Sequence, residues 1–234
     1  MKRIVIVSGT PSSGKTQILK HLLPLFREKG ERVCAAKMDT LYSPDTEAYE
    51  AMGIPSVLGL SGDICPDHFL VSNLPELWHW GERKDADYLF IESAGLCHRG
   101  SPLTEKAVAV TALDVTANAF SPSRMGPMVL QADVIVMTKC DLISQAEREI
   151  LAFRLASVNR GAKIIAFDGR EGYGAERILS CILSLPPVDS YENDILRHTM
   201  PSGVCSYCVG ERRVGSEFQL GVVGKIDFGE DKDK

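Results

Sequence analysis

The stretch Gly9-Thr10-Pro11-Ser12-Ser13-Gly14-Lys15-Thr16 decides the fold of this chain. It is a complete G-x-x-x-x-G-K-S/T phosphate loop. An apolar run at residues 4–7 leads into it, and a helical pattern over residues 17–29 follows. Glycines let successive backbone N–H groups point at one anion, and the N-terminus of the following helix adds partial positive charge. The stretch therefore predicts a strand, a phosphate-binding loop and a helix, in that order.

Each polar residue of this loop has a predicted task. Lys15 reaches the β- and γ-phosphates of a nucleotide, and the Thr16 hydroxyl ligates Mg²⁺. The alternative is a chance match in an ordinary loop, and the strand before it and the helix after it argue against that. The predicted nucleotide-binding residues of the loop are Gly9, Thr10, Ser12, Ser13, Gly14, Lys15 and Thr16.

Composition narrows the class of protein. The 234 residues are 44% hydrophobic and 24% charged, which is typical of a globular protein with a sizeable core. The formal net charge is −5 and no basic patch dominates, so nucleic acid is not the expected partner. No apolar run approaches about 18 residues, so no membrane insertion is expected. We predict a cytoplasmic protein whose seven cysteines are thiols, available for metal or redox chemistry.

Short apolar strands alternate with helical patterns along the first 187 residues. This order predicts an α/β fold, a three-layer P-loop NTPase with a mostly parallel sheet and helices on both faces. The predicted strands are 4–7, 33–38, 88–91, 107–114, 134–137 and 163–167, and the predicted helices are 17–29, 46–52, 75–82, 144–159 and 174–185. Ligands of such sheets bind at the carboxyl ends of the strands.

The pattern breaks at Pro186-Pro187. We therefore predict a P-loop domain over residues 1–187 and a C-terminal appendix over residues 188–234. The appendix contains Cys205-x-x-Cys208 and ends in a charged tail.

A base-reading motif, Thr138-Lys139-x-Asp141, follows the strand predicted at 134–137. The Asp141 carboxylate can accept hydrogen bonds from N1–H and the exocyclic amine of guanine, whereas adenine offers the opposite pattern there. The stem of Lys139 can cover the base plane, and Asp168 is placed to touch the base from the other side. Thr138 stands where the N/T-K-x-D signature more often has Asn. The alternative is a strand-end turn with a capping Asp.

Glu92-Ser93-Ala94-Gly95 follows the strand predicted at 88–91. A carboxylate at the end of a buried strand, beside a phosphate loop, suits outer-sphere Mg²⁺. The Gly95 N–H is placed to sense the γ-phosphate. Most GTPases carry Asp at the position of Glu92, so this departure is informative.

Together these motifs resemble the nickel-chaperone P-loop GTPases that mature urease and hydrogenase, which carry Glu-x-x-Gly where others carry Asp-x-x-Gly. The resemblance covers about residues 1–185 and includes the phosphate loop, Asp39, a Cys-Pro-x-His segment and both motifs above. It implies a GTPase that forms a homodimer, in which GTP binding assembles a metal site across the dimer and hydrolysis dismantles it. It also implies that Asp39 lies near Mg²⁺ and the γ-phosphate and helps to position the attacking water. Because no arginine finger is evident in the sequence, we expect slow intrinsic hydrolysis. The expected catalytic residues are Lys15, Asp39 and Glu92.

Soft metal ligands lie in both predicted switch regions. Cys65 and His68 belong to the Cys-Pro-x-His segment, and Cys97 and His98 follow Gly95. Thiolate and imidazole suit Ni²⁺ or Zn²⁺, and two copies across a two-fold axis would double the number of ligands. The urease-type pattern has its Cys and His two apart, whereas here they are three apart. The alternative is that Cys65 is a buried small hydrophobe and His68 a solvated loop residue.

Cys205 and Cys208 form a possible second metal site. A lone C-x-x-C supplies half of a zinc or iron–sulfur site, which a dimer mate, His198 or a partner could complete. A redox pair, or two thiols in a turn, are the alternatives.

Three functions remain open from the sequence. The first is a metallochaperone or metallocentre maturation factor that binds and slowly hydrolyses GTP, with nickel before zinc as cargo and a client metalloenzyme or accessory protein as partner. The second is a P-loop small-molecule kinase or an ATP-dependent ligase of the dethiobiotin-synthetase kind, and Asp141 argues against it. The third is a GTP switch without metal.

Overall fold

The computed structural model describes residues 1–95, 101–117, 125–198, 210–219 and 221–229. Within these ranges the strands are β1 (Arg3–Gly9), β2 (Val33–Asp39), β3 (Ser56–Leu60), β4 (Tyr88–Glu92), β5 (Val108–Asp114), β6 (Val134–Thr138) and β7 (Lys163–Ala166). The helices are α1 (Lys15–Glu28), α2 (Asp45–Ala51), α3 (Pro66–Arg83), α4 (Pro127–Leu130), α5 (Gln145–Val158) and α6 (Ala175–Leu183), with a 3₁₀ turn at Cys140–Leu142.

The strands form one sheet in the order β3-β2-β4-β1-β5-β6-β7, and every pairing is parallel. Successive side chains of β1 point to opposite faces. Ile4 and Ile6 join a core cluster with α3, whereas Val5 and Val7 join a second cluster with α1 and α6. Both faces are therefore covered, and the predicted three-layer α/β fold is confirmed.

The prediction missed strand β3 at the sheet edge. Its side chains alternate between half-buried and buried, Leu60 is exposed, and Gly59 interrupts the apolar run. A Cβ at Gly59 would lie 2.7 Å from the sulfur of Met38 on the neighbouring strand, so the Met38 side chain would have to shift to admit a larger residue there.

The prediction placed the start of the third helix at residue 75, whereas α3 begins at Pro66. Pro66 fits the first helical turn because its missing N–H would have no helical partner there. Pro75 lies inside the helix and leaves the Val71 carbonyl without its usual donor. The Gly215 N–H donates to that carbonyl at 3.1 Å, so a distant segment allows the helix to continue.

The described part of the C-terminal segment packs against the sheet face that α3 covers. Tyr191, Leu196, Val214 and Ile226 are buried in the same core cluster as α3. The Tyr191 hydroxyl accepts from the Ile4 N–H at 2.9 Å and donates to the Lys106 carbonyl at 3.0 Å. The segment is joined to the P-loop fold by a shared core. The domain boundary at residue 187 stays a prediction.

Within the described ranges, every helix is too short or too polar to cross a lipid bilayer.

Candidate functional site

The phosphate loop connects β1 to α1 and closes around its own lysine. Gly9, Ser12 and Gly14 all have positive φ angles, which turn the backbone into a cradle. The Lys15 ammonium donates to the carbonyls of Gly9 (3.2 Å) and Thr10 (2.9 Å). Burial lowers the pKa of Lys15 to about 8, although the Glu92 carboxylate opposes this shift.

Gly95 packs directly on this loop. Its φ is +77°, and a Cβ there would lie 1.8 Å from the Gly9 carbonyl oxygen and 3.0 Å from the Lys15 ammonium. The segment after β4 therefore packs against the phosphate loop, close to Lys15. Only glycine permits this approach.

A cluster of hydrogen bonds surrounds Glu92 at the end of β4, where its side chain is 1% exposed. Its Oε1 atom accepts from the Thr16 hydroxyl at 2.9 Å and from the Lys37 ammonium at 2.7 Å. Its Oε2 atom accepts from the Tyr49 hydroxyl at 2.6 Å. The Lys37 ammonium also lies 2.9 Å from Asp45 Oδ2. Thr16 and Glu92, the two predicted Mg²⁺ residues, are thus in direct contact.

Charges in this cluster stabilise one another. Burial alone would lower the pKa of Lys37, but attraction to Glu92 and hydrogen bonds to Glu92 and Asp45 outweigh it and raise that pKa. Burial acts to raise the pKa of Asp45, and its bond to Lys37 reverses the shift and lowers the pKa. Burial also raises the pKa of Tyr49, so its hydroxyl stays protonated as a donor. The cluster therefore holds the Lys37 ammonium between the side chains of Glu92 and Asp45.

The residues at this end fit a Mg²⁺-triphosphate. A cavity of about 450 Å³ is lined by Lys15, Thr16, Lys37, Asp39, Asp45 and Glu92, among others. Hydroxyl and carboxylate oxygens are the ligands that Mg²⁺ prefers, and the backbone cradle suits phosphate oxygens. Asp39 ends β2 and lines the cavity, with its Oδ1 atom accepting from the Thr40 N–H at 2.8 Å.

A second cavity, of about 420 Å³, lies beside the predicted base motif. Its lining includes Thr138, Lys139, Asp141 and Asp168, and it shares Gly14 and Gln17 with the phosphate cavity. The Thr138 hydroxyl donates to the Ser13 carbonyl at 2.7 Å, which ties the base motif to the phosphate loop.

Residues around the second cavity are held by local bonds. Lys139 has a φ of +58° and forms an ion pair with Asp114. Asp168 Oδ1 accepts from the Arg170 N–H at 2.8 Å. Cys140 is buried in the core beside β6. Asp141 is the carboxylate of the Thr138-Lys139-x-Asp141 motif, and it lines the cavity.

The Cys-Pro-x-His segment adopts a helical conformation, not the irregular loop that the sequence suggested. Cys65 precedes the first turn of α3, and His68 lies within that turn and is 1% exposed, so the alternative of a solvated loop histidine is wrong. Burial lowers the pKa of His68. Asp67 is also buried, which raises its pKa to about 7 against the opposing charge of Lys15. The turn that carries Cys65 and His68 therefore lies within electrostatic reach of the phosphate loop.

A complete metal site is not formed by this chain within the described ranges, where no three His, Cys, Asp or Glu side chains converge suitably. The other four predicted ligands, Cys97, His98, Cys205 and Cys208, lie outside the described residues.

Sequence reasoning missed Lys37, Asp45 and Tyr49. One signal was available for Lys37, because a lysine in an otherwise apolar strand, two residues before Asp39, must point to the same face as Asp39. Asp45 and Tyr49 join the cluster only through the packing of α2, which no local pattern reveals.

Residues 3–166 match the family described as CobW/HypB/UreG, nucleotide-binding domain. The chain belongs to the CobW/HypB/UreG family. Its phosphate loop, Glu92 and base motif all lie within the matched range. This CobW/HypB/UreG chain is therefore a nucleotide-binding P-loop protein.

Relatives of this CobW/HypB/UreG chain include an uncharacterized protein of Methanocaldococcus jannaschii. The two are 39% identical over 225 residues, which is 96% of each chain. The urease accessory protein UreG of Trichodesmium erythraeum is 29% identical over 191 residues, covering 76% of this chain and 89% of that protein.

Solved structures show the same fold. The hydrogenase maturation factor HypB of Archaeoglobus fulgidus has a TM-score of 0.64 at 23% identity and covers 78% of this chain and 89% of its own. HypB of Helicobacter pylori, determined in complex with nickel, has a TM-score of 0.64 at 18% identity, covering 78% of this chain and 86% of its own. At these identities the likeness supports the CobW/HypB/UreG fold.

Proposed function

We propose that this protein is a metallochaperone or metallocentre maturation factor that binds and slowly hydrolyses GTP, and takes up its metal cargo, nickel first, as a nucleotide-gated homodimer. The observation that carries the proposal is the continuity of the two cavities, which share Gly14 and Gln17. A nucleotide with its phosphates at Lys15 can extend its base toward Asp141. A client metalloenzyme or an accessory maturation protein would receive the cargo.

Each residue at the phosphate end of the site has its own role in the proposed hydrolysis. Mg²⁺, when bound, neutralises charge that develops on the phosphates. Thr16 would hold it through the hydroxyl and Glu92 through the carboxylate. Lys15 binds the β- and γ-phosphates, Asp39 helps to position the attacking water, and the Gly95 N–H donates to the γ-phosphate. Turnover without a partner is slow, because no arginine reaches this cavity among the residues that line it in the described ranges.

Position supports Cys65 and His68 as cargo ligands. Cys65 precedes α3 and His68 lies in its first turn, and the buried Asp67 between them lies within electrostatic reach of Lys15. His68 is buried, so its side chain must move outward to reach a metal shared across a two-fold axis. One copy supplies two soft ligands, which bind metal loosely, and a two-fold axis supplies four. The names of the relatives, a urease accessory protein and a hydrogenase maturation factor solved with nickel, support nickel over zinc.

Metal titration under defined nucleotide states tests this function. Ni²⁺ and Zn²⁺ are titrated into the protein with GDP and with a non-hydrolysable GTP analogue, while oligomer size is followed by light scattering. We expect a dimer and tight metal uptake with the analogue, and a monomer with weak uptake with GDP. Metal uptake independent of nucleotide would contradict the gating, and ATP binding better than GTP would favour the kinase or ligase alternative.

We expect Cys65→Ala to abolish GTP-dependent metal uptake while nucleotide affinity stays within about twofold of the parent. The thiolate is one of two soft ligands per copy, so its loss from both copies removes both thiolates, which are half of the four ligands of a shared site. Calorimetry with Ni²⁺ and the GTP analogue measures the effect. Cys181→Ala is the matched control, since Cys181 is a half-buried thiol on α6. Equal metal affinity in Cys65→Ala and the parent would remove Cys65 from the site.

Nucleotide affinity should fall as the pH rises above about 8, because the pKa of Lys15 in the free protein lies near that value. A bound triphosphate favours the charged ammonium and raises this pKa. Below about pH 8 the lysine is charged in both states and affinity is flat. Above it, binding takes up a proton, and affinity falls by at most about tenfold per pH unit.

Calorimetry of GDP and GTP-analogue binding at about pH 7 and 8.5, in two buffers of different ionisation enthalpy, measures this proton uptake. We expect proton uptake at the higher pH and none attributable to Lys15 at the lower. Binding without proton uptake at the higher pH would show that Lys15 is fully charged in the free protein.

A further inference from the structure

Lys37 is a buried cation at the phosphate end of the site. It lies on β2 directly opposite Glu92 of β4 in the sheet register, and it is 5% exposed. Its ammonium donates to Glu92 Oε1 at 2.7 Å and lies 2.9 Å from Asp45 Oδ2. Burial of a lysine is costly unless opposite charges surround it, and here two carboxylates do.

The oxygens that hold this ammonium are those that a divalent ion beside Thr16 would use. The Thr16 hydroxyl donates to Glu92 Oε1 at 2.9 Å and lies 3.4 Å from Asp45 Oδ2. Lys37 and Thr16 therefore share the same two carboxylate atoms. A Mg²⁺ ion that binds the Thr16 hydroxyl needs these oxygens turned toward itself or toward its water ligands.

Charge balance sets the order in which ligands can enter. Glu92 and Asp45 with Lys37 leave one net negative charge in the cluster, and a Mg²⁺ ion added alone would reverse its sign. Without the ammonium, two uncompensated carboxylates would attract a divalent ion strongly in this buried place. The phosphates of a nucleotide add the negative charge that allows the Lys37 ammonium and Mg²⁺ to be bound at the same time. Lys37 lines the same cavity as Lys15, so its flexible stem can turn the ammonium toward them.

We propose that Lys37 is a tethered cation that occupies the Mg²⁺-binding oxygens of the nucleotide-free protein, so that Mg²⁺ enters only together with a nucleotide. The proposal rests on the proposed function only in taking the phosphate loop as a Mg²⁺-nucleotide site. Nucleotide release returns the ammonium to Glu92 and Asp45 and expels the divalent ion. Free Mg²⁺ alone then does not keep the nucleotide-free site in the arrangement of the nucleotide-bound site.

Mn²⁺ binding, followed by electron paramagnetic resonance, tests the proposal because Mn²⁺ shares the oxygen preference of Mg²⁺. Nucleotide-free parent protein is compared with Lys37→Met, which keeps an unbranched side chain one atom shorter and removes its charge. We expect Mn²⁺ affinity at least about tenfold higher in Lys37→Met without nucleotide. With GDP the difference should shrink to within about threefold.

Two further variants assign the gain to the cluster. Lys20→Met removes the same charge from a lysine that lines the same cavity and acts on Asp45 only through space, and it should leave Mn²⁺ affinity unchanged. The double variant Lys37→Met with Glu92→Gln should lose the gained affinity. Thermal unfolding curves establish that each variant is folded.

The proposal is overturned if folded Lys37→Met binds Mn²⁺ no better than the parent, or if Lys20→Met reproduces the gain. It is also overturned, without any variant, if the nucleotide-free parent binds one Mn²⁺ as tightly as its GDP complex. Failure of the proposed function gives a different result. In that case the protein does not bind GDP or GTP, whereas Lys37→Met still binds Mn²⁺ more tightly than the parent in the absence of nucleotide.

Discussion

Asp141→Asn is expected to convert a guanine site into a xanthine site. In the proposed complex the Asp141 carboxylate would accept from two guanine donors, N1–H and the exocyclic amine. An asparagine amide offers one acceptor and one donor, which matches the N1–H and the C2 carbonyl of xanthine. Hydrogen bonds to charged groups contribute about 1.5–3 kcal/mol, so we expect the GTP to XTP affinity ratio to fall on the order of a thousandfold.

Competition of GTP, XTP and ATP against a fluorescent guanine nucleotide measures this change for the parent and the variant. Asp168→Asn is the control, because Asp168 lines the same cavity but its Oδ1 atom is engaged by the Arg170 N–H. The control should keep its preference for guanine. An Asp141→Asn protein that still prefers GTP to XTP would remove Asp141 from the base.

Gly95→Ala is expected to abolish GTP hydrolysis and to weaken the phosphate loop. The added Cβ would lie 1.8 Å from the Gly9 carbonyl oxygen, a backbone atom that can move only with the loop itself. The positive φ adds about 1–2 kcal/mol of strain for any residue with a Cβ. Displacing the Gly95 N–H would also remove the donor proposed for the γ-phosphate, and loss of such a donor costs about 100-fold or more in rate.

Single-turnover hydrolysis and the affinities for GDP and a GTP analogue measure the effect, and the analogue should lose more affinity than GDP. Gly30→Ala is a matched control, because Gly30 has a φ of +82° and an added Cβ there meets nothing within 4 Å. That variant carries the same backbone strain without the collision. Hydrolysis in Gly95→Ala at the level of Gly30→Ala would show that the segment after β4 does not act on the γ-phosphate.

Local pattern predicted the elements that bury both faces of the sheet, because a central parallel strand is apolar at most of its positions. It failed at the edge, where β3 is half exposed and contains Gly59. It failed again at α3, where Pro75 resembles a helix start. The helix continues through Pro75, and the Val71 carbonyl that this proline leaves open accepts from the Gly215 N–H, far along the chain.

The candidate site divides in the same way. Residues tied to a motif, such as Lys15, Thr16 and Glu92, could be predicted because strand order brings the carboxyl ends of strands to one edge. Lys37 and Tyr49 were missed because their place depends on how β2 and α2 pack around Glu92. The helical start of α3 at Cys65 and His68 was missed for the same reason that Pro75 was misread. The roles of all these residues stay predictions for the experiments above.

The Val71 carbonyl of α3 receives its hydrogen bond from Gly215, and Asn73 of the same helix bonds to Gly224 and Ile226. During translation these partners emerge after the whole sheet has left the ribosome. The helix α3, which begins at Pro66, therefore gains these bonds only after residues 215–226 have been synthesised. In a nascent polypeptide that has not reached these residues, α3 would lack these partners, so this helix would be completed later than the sheet that it covers.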